Sequence, residues 1–192
     1  MPNTVAQLVP NTPSTNVAQV FPWPQAADYA FHDNHRTLVP SGSGPIDGSD
    51  LLLAFAGSAP SWVDTLMMAR NQVMGRLGLK TGLMPAALHG PLQVGQYLGM
   101  FQVHHLRPDL ALIGEDDHHL DFRIFVWVDR ATAPAGDAAM LVVSTWVRPH
   151  NLAGKVYLSI ARPFHWLISK IMIRRLARRL GMSTSFRPTG QS

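Results

Sequence analysis

The residues best equipped for chemistry crowd into one stretch, Leu110–Val128, which reads LALIGEDDHHLDFRIFVWV. Glu115, Asp116, Asp117, His118, His119 and Asp121 supply carboxylates and imidazoles, the groups that hold metal ions or move protons. A metal needs converging donors. Adjacent residues of a strand point to opposite faces, so His118 and His119 are not expected to share an ion. Neither an HExxH helix nor an EF-hand spacing is present. Glu115–His118 therefore reads as a polar hairpin tip, and no metal site is expected.

His119, Asp121 and Arg123 recur at steps of two and share a strand face. Two readings stand open. On a solvent face, Asp121 and Arg123 form an exposed ion pair of little value. On a cavity wall, buried charges must be paired, and Asp121 between His119 and Arg123 supplies the pairing. Phe125 and Trp127 continue the face, an odd composition for pure solvent exposure. Trp146 and Arg148 share a face of a neighbouring strand and are candidates for the same wall. His165, after Pro163-Phe164 at a helix start, is placed to reach the cavity mouth. The candidate ligand-binding set is thus His119, Asp121, Arg123, Trp146, Arg148 and His165; no catalytic residue is assigned. Ser144 and Ser159 lack an adjacent activating base, and GxSxG is absent. Without a Gly-rich phosphate loop, no nucleotide cofactor is expected.

The elements that position these groups follow from periodicity. Leu110–Ile113 reads as a strand, Gly114–Asp117 as a turn, and His118–Val128 as a second strand. On the latter, Leu120, Phe122, Ile124, Val126 and Val128 share a purely apolar face. Ala27–His32 is a candidate first strand, ending at Asp33-Asn34. Leu51–Ala56 reads as a short helix capped by Ser49-Asp50 and stopped by Gly57. A second helix starts at Ser61, carries an apolar stripe with Trp62, Leu66 and Met67, and ends at Gly78. Gly95–His105 and Met140–Arg148 read as strands, the latter ended by Pro149.

The C-terminal end reads as helix over Lys155–Ala161 and again over Phe164–Leu180, with Pro163 kinking or restarting it. Phe164, Leu167, Ile168, Ile171 and Met172 cover one arc. Trp166, Ile173, Ala177 and Leu180 cover nearly the opposite arc. A helix apolar on two sides is packed between layers, and Ile168, Ile171 and Met172 are expected against the sheet. Strands grouped beside helices make the class α+β, a curved antiparallel sheet with the last helix laid on it.

Composition bounds the rest. A chain of 192 residues without cysteine is one domain with a real core and no disulfide framework. Residues 1–24 read as a loose tail, 25–182 as the domain and 183–192 as a second tail. The first 25 residues hold no Lys or Arg and carry five prolines, which fits neither a secretory signal nor a membrane span. A cytoplasmic protein is expected. Residues 1–137 carry all twelve acids and seven basic residues, net −5, whereas residues 138–192 carry nine basic residues and no acid. The Arg174, Arg175, Arg178 and Arg179 run lacks the interleaved exposed aromatics of a nucleic-acid platform. It reads as a solvated helix end, or as a transient contact with an anionic membrane surface.

Four strings carry a resemblance: Gly114-Glu-Asp-Asp-His-His-Leu-Asp-Phe-Arg123, Val147-Arg-Pro-His150, Gly154-Lys-Val-Tyr157 and Arg162-Pro-Phe-His165. With the element order, they resemble an uncharacterised bacterial family of START or polyketide-cyclase-like domains with the helix-grip fold. The resemblance spans Trp62 to Leu180. It implies a cavity between the sheet and the long helix, and members fused behind dinucleotide-binding domains. It does not imply a reaction. The leading expectation is binding or carriage of a small hydrophobic ligand, including lipid. The alternatives are a cyclase or dehydratase using His119, Asp121 and Arg123 or Arg148, and an interaction module for a dinucleotide-dependent oxidoreductase.

Overall fold

The strand that carries the charged and aromatic stripe becomes an inner strand of an open sheet. The computed structural model describes residues 29–42, 44–76, 91–131 and 138–185. In chain order they form β1 (Phe31–Pro40), α1 (Gly48–Ala56), α2 (Trp62–Arg76), β2 (Tyr97–Leu98), β3 (Phe101–Arg107), β4 (Leu110–Asp116), β5 (Leu120–Asp129), β6 (Ala138–Pro149) and α3 (Leu152–Ser185). The six strands make one antiparallel sheet in the order β1-β6-β5-β4-β3-β2. The α+β class and the order of strand, two helices, meander and long helix are those expected from the sequence.

Period-two alternation divides the two faces. Ile124, Val126 and Val128 of β5 join Ala111 and Ile113 of β4 and Ala139, Leu141 and Val143 of β6 in the main core. Leu51, Leu52 and Phe55 of α1 and Ile173, Leu176 and Leu180 of α3 close that core from the helical side. The opposite face carries a second buried cluster: Tyr29, Leu110, Leu112, Phe125, Trp127, Val142 and Trp146. No residue of α2 is buried among those whose side chains are described, and Trp62 is exposed rather than part of a buried stripe.

Several boundaries differ from those expected. The first strand does not end at Asp33-Asn34 but runs to Pro40, paired with β6 throughout. The two polar residues are tolerated because each has a partner: Asn34 accepts from Ser144 Oγ, and Asp33 meets His35 and His165. The expected strand Gly95–His105 is a hairpin, folded at Gly99, whose φ of 69° suits a residue without Cβ. The tip of the central hairpin is not Gly114–Asp117. β4 runs on to Asp116, and the turn is Asp117–His119. Gly78, expected to end α2, falls outside the described residues, as do both tails except for 183–185, which extend α3.

α3 is continuous through Pro163. Pro163 removes the hydrogen bond to the Ser159 carbonyl. Both residues are exposed, so water can take that carbonyl and the helix does not break. Nor is α3 packed on two sides. Ile173, Leu176 and Leu180 are buried against the sheet, whereas Phe164, Trp166 and Leu167 are exposed. Of the three residues expected against the sheet, Met172 packs on the core, and Ile168 and Ile171 are half-buried.

Candidate functional site

Asp121 is the focus of the polar face. It opens the outward row of β5, directly opposite Arg148 of β6. Its carboxylate is only 8% exposed. Oδ2 accepts from Arg148 Nη2 at 2.6 Å and from Nε at 3.2 Å, and Oδ1 lies 2.9 Å from His150 Nε2. Burial alone would raise the Asp121 carboxyl. The hydrogen bonds and charges of His150 and Arg148 outweigh it and hold the group below the usual carboxylate range.

Arg123 does not pair with Asp121, as the two-step spacing implied. It crosses to the neighbouring strand and meets Asp116, Nη1 to Oδ1 at 2.7 Å and Nη2 to Oδ2 at 3.0 Å. The register explains this choice. Arg123 stands opposite Gly114, where a Cβ would come within 2.8 Å of the arginine's Cδ. The glycine leaves a trough along which the guanidinium reaches Asp116. On the other side Arg148 stands directly opposite Asp121 and takes its carboxylate.

His119 does not stand in the row either. It belongs to the turn, not to β5, so strand alternation does not govern it. Its ring lies edge-on to Tyr157 of α3, centroids 5.9 Å apart, and its carbonyl accepts from His150 N at 2.9 Å. The same departure from strand geometry brings Asp117, His118 and His119 donor atoms together, against the expectation that the two histidines diverge.

The row also fails to line a space under the long helix. α3 lies against the other face, along β1 and β6. The row instead runs from Asp121 and Arg123 into the second cluster, where Phe125 and Trp127 are buried. Trp146 joins them. Its ring meets Tyr29 and His32 at 5.8 and 4.8 Å, and its Nε1 donates to Ser144 Oγ at 2.8 Å. Arg148 stacks over the Tyr29 ring at 5.7 Å. Asp121, Arg148, Tyr29, Trp146 and His32 thus form one connected path across the face.

That path reaches an open cleft of about 330 Å³ between the start of β1 and α3, lined by Phe31, His32, Asp33, Arg162, Pro163 and Trp166. His165 sits beside it. Its Nε2 lies 3.3 Å from Asp33 Oδ2 and 3.3 Å from Ser169 Oγ, and its ring is edge-on to Phe31. Arg162 stacks over Phe31 at 5.0 Å. Burial alone would raise the Asp33 carboxyl, but hydrogen bonds from His165 and His35 hold it far below its ordinary value.

A family model described as a protein of unknown function (DUF2867) matches residues 25–172. The chain belongs to the DUF2867 family. No curated protein matches it.

The structure of this DUF2867 domain therefore splits the six candidates. Asp121 and Arg148 come together, Trp146 links them to the cleft and His165 borders it. Arg123 and His119 are directed elsewhere. His150, which is not among the six, is a direct partner of Asp121. The missed signal was Arg148 and His150 at a two-residue step, which a strand continued through Pro149 turns to the same side.

Burial lowers the His32 and His104 imidazoles, and Arg123 lowers His104 further. The unfolded chain takes up these protons near pH ~6.5, whereas the folded chain resists them. Stability is thus complete above about pH 6.5 and falls as the pH drops toward the lowered folded values. The depressed Asp33 and Asp121 act lower down. Their contribution is present above about pH 4 and is lost as the pH falls through their folded values. Melting curves from pH 8 to 3 should show two successive declines. His104→Gln should reduce the first, and an unchanged profile would show that burial does not perturb this ring.

Proposed function

We propose that this DUF2867 chain is a helix-grip domain of the START type that binds a small amphipathic molecule in the cleft between β1 and α3. A six-stranded antiparallel sheet carrying one long C-terminal helix supports the fold reading. The cleft carries the functional one. Its volume of about 330 Å³ falls at the lower end of small-molecule sites, which are mostly apolar with a few convergent polar groups. Phe31, Pro163 and Trp166 offer the apolar walls, Arg162 a cation for an anionic head group, and His32 and Asp33 hydrogen-bonding partners.

The solvent arc of α3 suits delivery from a lipid surface. Leu152, Val156, Ile160, Phe164 and Leu167 are exposed at helical spacing, and exposed Arg174 and Arg178 continue the same arc. Such a face offers apolar insertion and attraction to anionic head groups. Among the described residues no helix is long and apolar enough to cross a membrane, so contact would be at the surface.

Titration with an anionic naphthalene fluorophore tests the cleft. Wild type should enhance its emission. Arg162→Ala and Trp166→Ala should each weaken binding about tenfold, the equivalent of about 1.4 kcal/mol, without a change in fold. Equal affinity in both variants would move the ligand elsewhere. Cosedimentation with anionic vesicles, and its absence with neutral ones, is the expected behaviour of the α3 arc.

A second reading rests on a separate contact. His150 held at 2.9 Å by buried Asp121 is the arrangement of an oriented acid–base group, with Arg148 available to an oxyanion. It makes the protein an enzyme of the cyclase or dehydratase type. Native mass spectrometry of a copurified ligand, followed over time in wild type and His150→Ala, separates carriage from turnover.

A further inference from the structure

The β4–β5 turn brings two imidazoles and a carboxylate to one point. Asp117, His118 and His119 each contribute a donor atom, all within 4.8 Å of one another. His118 Nδ1 is 2.7 Å from Asp117 Oδ1, and His119 Nδ1 is 3.1 Å from Oδ2.

The second observation concerns His119. Its side chain is 2% exposed. Neither ring nitrogen meets hydrogen-bond geometry among the described residues, although Nδ1 lies 3.1 Å from Asp117 Oδ2. A buried imidazole whose ring nitrogens make no hydrogen bond is a cost that a folded chain rarely carries unexplained. A cation between Nδ1 and the carboxylate accounts for Nδ1, since both groups then act as lone-pair donors.

The turn is also braced, as a preorganised site must be. The His119 carbonyl accepts from His150 N at 2.9 Å, and the His118 carbonyl from Asn151 Nδ2 at 3.1 Å. Gly154 at the start of α3 packs so closely on the His119 carbonyl that a Cβ would clash with it. Three of the strings that stand apart in the sequence, around His118, His150 and Gly154, therefore meet at this corner.

We propose that Asp117, His118 and His119 bind a divalent transition-metal ion of the zinc class. Two imidazoles with one carboxylate favour such ions over calcium or magnesium, which prefer all-oxygen shells. Three protein donors leave a fourth position of a tetrahedral ion for water or a ligand. His118, 61% exposed, puts that position at the protein surface.

The test is calorimetric titration of the tag-free, chelator-stripped chain with zinc chloride alone. One ion per chain is expected, with a rise in melting temperature and intense visible absorption when cobalt(II) is substituted. His118→Ala removes an exposed side chain and should fold normally. It should weaken zinc at least about tenfold, since even loss of a group that merely supports a ligand does so. Asp117→Asn should act in the same direction, and His104→Ala should leave zinc binding intact. Failure of wild type to bind zinc, or equal binding by His118→Ala and wild type, overturns the proposal and reduces the turn to a hydrogen-bonded hairpin tip.

Discussion

The double variant Arg148→Ala/His150→Ala is expected to lose about 3–5 kcal/mol of stability, the range found when a buried ion loses its partner. Asp121 is the reason. Its carboxylate is buried, with Arg148 on one oxygen and His150 on the other. Either single change leaves one partner in place. Each should cost no more than about 1.5–3 kcal/mol, the range for hydrogen bonds to charged groups. Arg148→Ala should lie at the low end, because that side chain is 42% exposed and water screens its charge. Adding Asp121→Ala to the double variant should recover part of the loss, since the unpaired charge goes with it. Arg123→Ala should cost less than any of these, because its partner Asp116 is exposed and exposed pairs contribute about 0–1 kcal/mol. Urea unfolding of the five variants and the wild type decides the matter. Small additive losses throughout would mean that Asp121 is solvated when the chain breathes and that the trio is no site.

That ranking reverses the expectation drawn from spacing alone, and the reason is physical. Period two tells which residues of β5 share a face. It does not tell which neighbour lies across the sheet. Arg123 had an acid two residues away on its own strand and another on β4. The β4 register, with Gly114 opposite Arg123, made the second the nearer. The apolar row Phe122, Ile124, Val126 and Val128 was readable because its partners did not matter. Any apolar neighbour serves a hydrophobic contact, whereas an ion pair needs one particular atom within about 4 Å.

The turn was misread for a related cause. Gly114 invited a bend, and the strand after it was extended back to His118. Strand alternation was then applied to two histidines that are not in a strand. A glycine in an edge-to-centre strand can instead mark close approach by a side chain, and here that side chain is Arg123. Moving the tip by three residues turns two diverging histidines into converging ones. The cleft was legible only as a general expectation of space between sheet and helix. Its place at Pro163 depended on α3 staying continuous there, which no local propensity indicates.

Leu176→Ala is expected to cost about 2–5 kcal/mol, the range for removing a large buried aliphatic side chain, and Ile171→Ala less than about 1.5 kcal/mol. Periodicity placed Ile171 and Ile168 on the sheet, because the apolar residues between Phe164 and Met172 form the more continuous arc. The helix turns the other way. Leu176 is fully buried in the core that also holds Ile173, Leu180, Leu141, Val143 and Val39, and Ile171 is half-exposed. The arginines decide the rotation. Arg174, Arg175, Arg178 and Arg179 must keep their charges in water, and burying the Ile171 arc would carry Arg178, seven residues on, into the sheet. Exposing Phe164, Leu167 and Ile160 costs less than burying an unpaired guanidinium. Equilibrium unfolding of the two variants should therefore separate them by at least about 0.5 kcal/mol. If Ile171→Ala proves the more damaging, the helix is rotated by about half a turn. Phe164 and Leu167 would then leave the solvent arc, and the vesicle contact would lose its apolar component.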